Sequence, residues 1–92
     1  MLIKVTQKHI DDALWHRKNW NGISFYFSWS ESCPVSRAIK EATNIDKVMT
    51  SYYCIEIEDI RYILPQEVEN FMCKVDCHIF VKPIEFELNE FL

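Results

Sequence analysis

Cys33 is the residue best placed in this sequence to do chemistry, because Pro34 follows it directly. Proline at a first helical position sacrifices no hydrogen bond and its φ is already helical. Cys33-Pro34 therefore predicts a thiol at a helix N-terminus, where the dipole favours the nucleophilic thiolate. His9, His16 and His78 are the candidate bases. No Asn or Asp stands at a spacing that marks an orienting partner, and a Cys-Pro helix start serves packing and capping equally well. A second constellation, Cys73, Cys77 and His78, has the wrong spacing for zinc, and no C-x2-C knuckle accompanies it. The four cysteines at 33, 54, 73 and 77 instead read as reduced thiols packed as small hydrophobes.

The carboxylates suggest acid–base or metal chemistry less than they first promise. Adjacent residues on a helix point about 100° apart, so Asp11 and Asp12 diverge into solvent. Glu56, Glu58 and Asp59 fall on a strand and its turn. A single glycine leaves no material for a phosphate cradle, and no G-x-S-x-G elbow is present. The expectation is a chain with no catalytic residues, no cofactor and no metal.

The elements that must position these residues follow from periodicity. Leu2–Val5 reads as a short strand, and Thr6 as the N-cap of a helix from Gln7 to Leu14 or Trp15, with Ile10, Ala13 and Leu14 on its apolar side. His9 is expected beside the core, hydrogen-bonded to backbone. His16–Gly22 reads as a polar connection around Trp20, and 23–29 alternates as a strand or extended loop. The helix from Cys33 to Thr43 carries an apolar stripe of Val35, Ala38, Ile39 and Ala42, backed by Ser36, Arg37, Lys40 and Glu41, and Asn44 ends it. Residues 48–64 predict a hairpin turning at Glu58-Asp59, with Tyr53, Ile55 and Ile57 on one face and Tyr52, Cys54, Glu56 and Glu58 on the other. Pro65 opens a third helix that buries Val68, Phe71, Met72 and Val75. From Ile79 to Leu88 the chain alternates again, with Ile84, Phe86 and Leu88 inward, Glu85 and Glu87 outward, and Pro83 placing the strand at an edge or at its own start. The sum is one α+β domain over residues 1–92, with about three helices on a mainly antiparallel sheet of four or five strands.

Ninety-two residues bury roughly 60–65% of their unfolded surface, and 49% hydrophobic content with 14% aromatics makes that small core dense and ordered. No apolar run approaches a membrane span, and residues 1–5 are too short and too alternating for a signal peptide, which predicts a cytoplasmic protein. The net charge of −4 concentrates in the second half of the chain. A net acidic protein without a basic cluster suits neither nucleic-acid backbone nor membrane, and suits a basic protein partner. Trp15, Trp20, Tyr26, Trp29, Tyr52, Tyr53 and Tyr62 exceed what so small a core can cover on one side. Tyr and Trp dominate interface hot spots, so the group predicts a protein interface or a homodimer. Arg17-Lys18-Asn19-Trp20, the one basic and aromatic stretch, is too small to bind single strands alone.

Val5-Thr6 with His9-Ile10, Cys33-Pro34-Val35 with Ala38-Ile39, Leu64-Pro65 with Val68 and Phe71, and Pro83 with Phe86 and Leu88 are similar in type and spacing to a family of small proteins encoded by bacteriophages and prophages. The resemblance runs over nearly the whole chain, while residues 16–29 are longer and more aromatic than the family pattern. It implies a phage accessory context in the host cytoplasm. By analogy, it implies an inhibitor of a host defence complex, of the anti-CRISPR kind, whose target is a CRISPR effector or a related assembly. The expected docking residues are Trp15, Trp20, Tyr26, Trp29 and Tyr52, with Glu56, Glu58, Asp59, Glu85 and Glu87 opposing a basic nucleic-acid channel. The alternatives are a small cysteine-dependent enzyme using Cys33 and a homodimeric phage accessory protein.

Overall fold

The computed structural model describes residues 1–19 and 31–90. Among them run β1 (Leu2–Val5), α1 (Gln7–Asn19), α2 (Pro34–Thr43), β2 (Val48–Thr50), β3 (Ile55–Ile57), β4 (Ile60–Tyr62), α3 (Gln66–Asp76) and β5 (Ile84–Glu87). The predicted alternation over 23–29, with Trp20, Tyr26 and Trp29, lies outside the described residues.

The strands form two antiparallel sheets, β1-β5 and β2-β3-β4. A bridge between Tyr62 and Glu90, with the Ile63 amide donating to the Asn89 carbonyl at 2.7 Å, links β4 to the chain just after β5. Opposed residues of antiparallel strands share a face. Ile3, Val5, Val48, Ile55, Ile57, Phe86 and Leu88 therefore point inward together and are buried. Ile10 and Ala13 of α1, Val35, Ala38 and Ile39 of α2, Val68, Phe71, Met72 and Val75 of α3, and Val81 complete the core.

α2 starts and stops as its sequence dictates. Pro34 occupies the first turn and Cys33 the N-cap, without a side-chain capping bond. At the other end Asn44 adopts φ 58° and its amide donates to Lys40 at 2.8 Å, a left-handed cap that Asn tolerates better than most residues. The helix packs against α1 and against β1 and β2. Two details differ from the periodicity. Ala42 is exposed at the helix end, while Ser36, expected on the solvent side, is fully buried because its hydroxyl meets Thr50 Oγ1 at 2.9 Å.

α1 runs a full turn past its expected end. The polar residues His16, Arg17 and Lys18 fill its last turn, where cations complement the carbonyl end of the dipole. Tertiary partners hold them there: His16 Nδ1 meets Ser32 Oγ at 2.8 Å, and Arg17 Nε donates to the Ser32 carbonyl at 2.7 Å. Tyr53, expected beside Ile55 and Ile57, is instead 88% exposed. Ser51 breaks the alternation: its hydroxyl accepts from the Tyr53 and Cys54 amides, turning the chain between β2 and β3.

Candidate functional site

Three surfaces gather the side chains singled out above. The first is the outer face of the sheets. The register places Met49, Glu56 and Arg61 side by side on β2, β3 and β4, and Leu2, Lys4, Glu85 and Glu87 on β1 and β5. The bridge at Tyr62 carries the same parity across, so Ile63 joins this face. Leu2, Met49 and Ile63 are 45%, 62% and 43% exposed. The acids there do not accumulate. Glu56 is 3.5 Å from Arg61, Glu87 is 3.4 Å from the Met1 ammonium, and Glu85 stands opposite Lys4.

Glu58 and Asp59 sit just beyond β3, as the two central residues of the β3–β4 turn, with φ 50° and 69°. Asp59 accepts from Lys47 at 2.9 Å, and this hydrogen bond with its charge raises the lysine's pKa above the ordinary value.

The second surface surrounds a cleft of about 400 Å³ between α1 and the chain leaving α3. Ile10, Val75 and Val81 form its floor, and Leu14, Ile79 and Phe80 rim it. Phe80 is 79% exposed. Trp15, also exposed, follows Leu14 on α1. Leu14, expected in the core, and Ile79-Phe80, expected as the opening of a strand, are the residues whose role sequence periodicity missed.

The third is a pocket of about 220 Å³ built by α1, the start of α2, the end of β2 and α3. Cys33 Sγ lies 3.0 Å from Thr50 Oγ1 and 4.0 Å from Met72 Sδ. Across the same pocket Arg17 pairs with Asp76 at 2.9 Å, and the Tyr52 hydroxyl donates to the other oxygen of that carboxylate. Tyr52 is therefore tied to α3.

None of the described partners of Cys33 is a base. His16 meets Ser32, and His9 is engaged elsewhere. The Thr6 amide donates to His9 Nδ1 at 3.0 Å, and Nε2 lies 2.6 Å from Glu41. Because Nδ1 accepts, Nε2 carries the hydrogen and donates to Glu41. Thr6, His9 and Glu41 stand in nucleophile–base–acid order, yet Thr6 also accepts from the His9 amide at 3.4 Å, and none of the clefts described above is lined by it. The array is a capping box with imidazole in the place usually taken by Glu or Gln. His9 thus lies beside the core and bonded to backbone, as expected; Glu41 is the partner that local sequence did not reveal.

The thiols are less buried than expected. Cys33 and Cys54 are half-buried, and Cys73 and Cys77 are exposed on α3 and its C-cap. No group of three or more His, Cys, Asp or Glu side chains positioned for a metal occurs among the described residues. Asp11 hydrogen-bonds Gln7 and Asp12 pairs with Lys8, each one turn away, so the two carboxylates diverge. No described helix is long and apolar enough to cross a membrane.

No protein-family model, curated protein or solved structure matches the chain.

Proposed function

We propose that this protein is a non-enzymatic binding protein that inhibits a host defence complex by covering one of its surfaces, with the outer sheet face as the docking surface. One observation carries the reading. Exposed Leu2, Met49 and Ile63 share that face with Glu56, Arg61, Glu85 and Glu87. Apolar side chains in a polar frame are the usual composition of a protein interface. Because its acids are matched by cations, the face suits a protein surface of mixed charge better than a phosphate-binding channel. The choice of target follows the resemblance of the sequence segments to small phage proteins. The Cys33 enzyme reading receives less support, since a hydroxyl and a thioether, not an imidazole, accompany the thiol.

The test is capture from nuclease-treated bacterial lysate with the tagged chain and with Met49→Asp/Ile63→Asp. Stoichiometric recovery of a nucleic-acid-handling defence complex by the parent chain, lost in the variant, supports the proposal. Equal recovery by both removes the sheet face from it. Recovery of the chain alone, with a dimer mass in light scattering, replaces inhibition by self-association.

A further inference from the structure

The pocket at the start of α2 contains two sulfurs that the binding reading does not use. Cys33 arrives from the N-cap of α2 and Met72 from the middle of α3, and their sulfurs stand 4.0 Å apart. Met72 is 6% exposed and Cys33 is half-buried, so both are positioned by packing. We propose that this pair is a binding site for a soft monovalent d10 cation, copper(I) being the biological case, with a third coordination position open to the cavity.

The donor set selects the metal. Thiolate and thioether are soft ligands that favour copper(I), whereas zinc takes four ligands in its structural sites and three with a water in catalytic ones. With metal–sulfur bonds of about 2.3 Å, a sulfur separation of 4.0 Å closes an S–M–S angle of about 120°. That is the trigonal angle. The cavity of about 220 Å³ leaves room for a third ligand, such as a small thiol.

The surroundings suit a thiolate. Thr50 Oγ1, 3.0 Å from Sγ, can donate to it while accepting from Ser36 Oγ at 2.9 Å. Ser36 is fully buried, so the hydroxyl relay is fixed, and outer partners of this kind orient a ligand and tune its metal. On binding, the Cys33 S–H bond breaks, the proton passes to solvent and the sulfur electron pair forms the metal bond. No electron is transferred, because the cation arrives as copper(I).

Exposed Cys73 and Cys77 would compete for the metal, as would Cys54, so the decisive experiment reads Met72 directly. Silver(I), a redox-inert d10 probe, is titrated into the full chain labelled with ¹³C at its methionine methyls. The chain has three methionines, Met1, Met49 and Met72. The Met72 methyl is expected to shift and saturate while those of Met1 and Met49 stay in place; silver binding with an unmoved Met72 overturns the proposal. In a Cys54→Ser/Cys73→Ser/Cys77→Ser background, copper(I) competed against bicinchoninate is expected to bind one to one. There the volume-conserving Met72→Leu should weaken binding at least tenfold and Cys33→Ser abolish it. Equal affinity with Met72→Leu also overturns the site. Should the triple variant fail to fold, the methyl titration of the parent chain still decides.

Discussion

Arg17 and Asp76 form an ion pair at 2.9 Å that ties the last turn of α1 to the last turn of α3 beside Cys33. Arg17 also donates to the Ser32 carbonyl, and Asp76 accepts from Tyr52, so two helices and two connecting segments meet on one pair. Arg17→Ala removes the pair and one wall of the thiol pocket. Hydrogen bonds to charged groups contribute about 1.5–3 kcal/mol, and at this half-exposed position a loss of about 1–2 kcal/mol is expected. Ellman's reagent provides a sharper measurement. In the parent chain exposed Cys73 and Cys77 should react fast, with Cys33 and Cys54 slow; in Arg17→Ala Cys33 should react several-fold faster. An unchanged Cys33 rate would mean that the pair does not guard the pocket.

The β3–β4 turn is strained by its residues. Glu58 and Asp59 both hold positive φ between Ile57 and Ile60, the pattern of a type I′ turn, for which Asn-Gly is preferred. Glu58→Asn/Asp59→Gly should raise stability by about 0.5–1 kcal/mol, since the exposed Lys47–Asp59 pair that it gives up is worth little. A higher urea midpoint at unchanged m-value is the expected result. A lower midpoint would show that the ion pair outweighs the backbone strain.

The Thr6–His9 capping box makes a prediction about chemistry rather than size. Gln at position 9 keeps an acceptor for the Thr6 amide and a donor for Glu41, so His9→Gln should cost under about 1 kcal/mol. His9→Ala loses both bonds and leaves space in a site only 7% exposed, which should cost about 2–3 kcal/mol. His9→Glu restores the usual cap but sets a carboxylate against Glu41 and should fall between them. Chemical denaturation of the three variants gives the ranking; equal losses would show that packing, not capping, is the role of His9.

These relationships also mark what local sequence can and cannot convey. Pro34, Asn44 and the Glu58-Asp59 turn act on neighbouring backbone, and each places its element boundary where the chain has one. The inward faces of α3 and β5 follow from period alone. His16 and Arg17 read as a connection because the carbonyl and hydroxyl of Ser32 that hold them in a helix lie 15 and 16 residues away. Glu41 is 32 residues from His9 and Met72 is 39 from Cys33, so neither partnership leaves a local pattern. Ser36 is buried against polarity because one hydroxyl, Thr50, waits across the interface. The acids of β3 and β5 were legible as outward-facing, but their cations were not, since cross-strand pairing is settled by register.

Glu31 supplies a pH signature. Its carboxylate accepts from Lys40 Nζ at 3.1 Å and stands 3.2 Å from Arg37, while Arg37 Nε donates to its carbonyl at 2.5 Å, so one residue anchors two side chains of α2. The hydrogen bond from Lys40, followed by the charges of Lys40 and Arg37, holds the carboxyl below the ordinary glutamate value of 4.5 despite opposing desolvation. A carboxyl depressed in the folded state contributes stability that is complete above its unfolded pKa and is lost as pH falls through the folded one. Glu31→Gln should therefore destabilise the protein at pH 7, and the gap between parent and variant should narrow as pH drops below 4.5. Urea midpoints measured from pH 7 down to the acid transition would show the two curves converging. Parallel curves would mean that the anchor depends on the geometry of Glu31 and not on its charge.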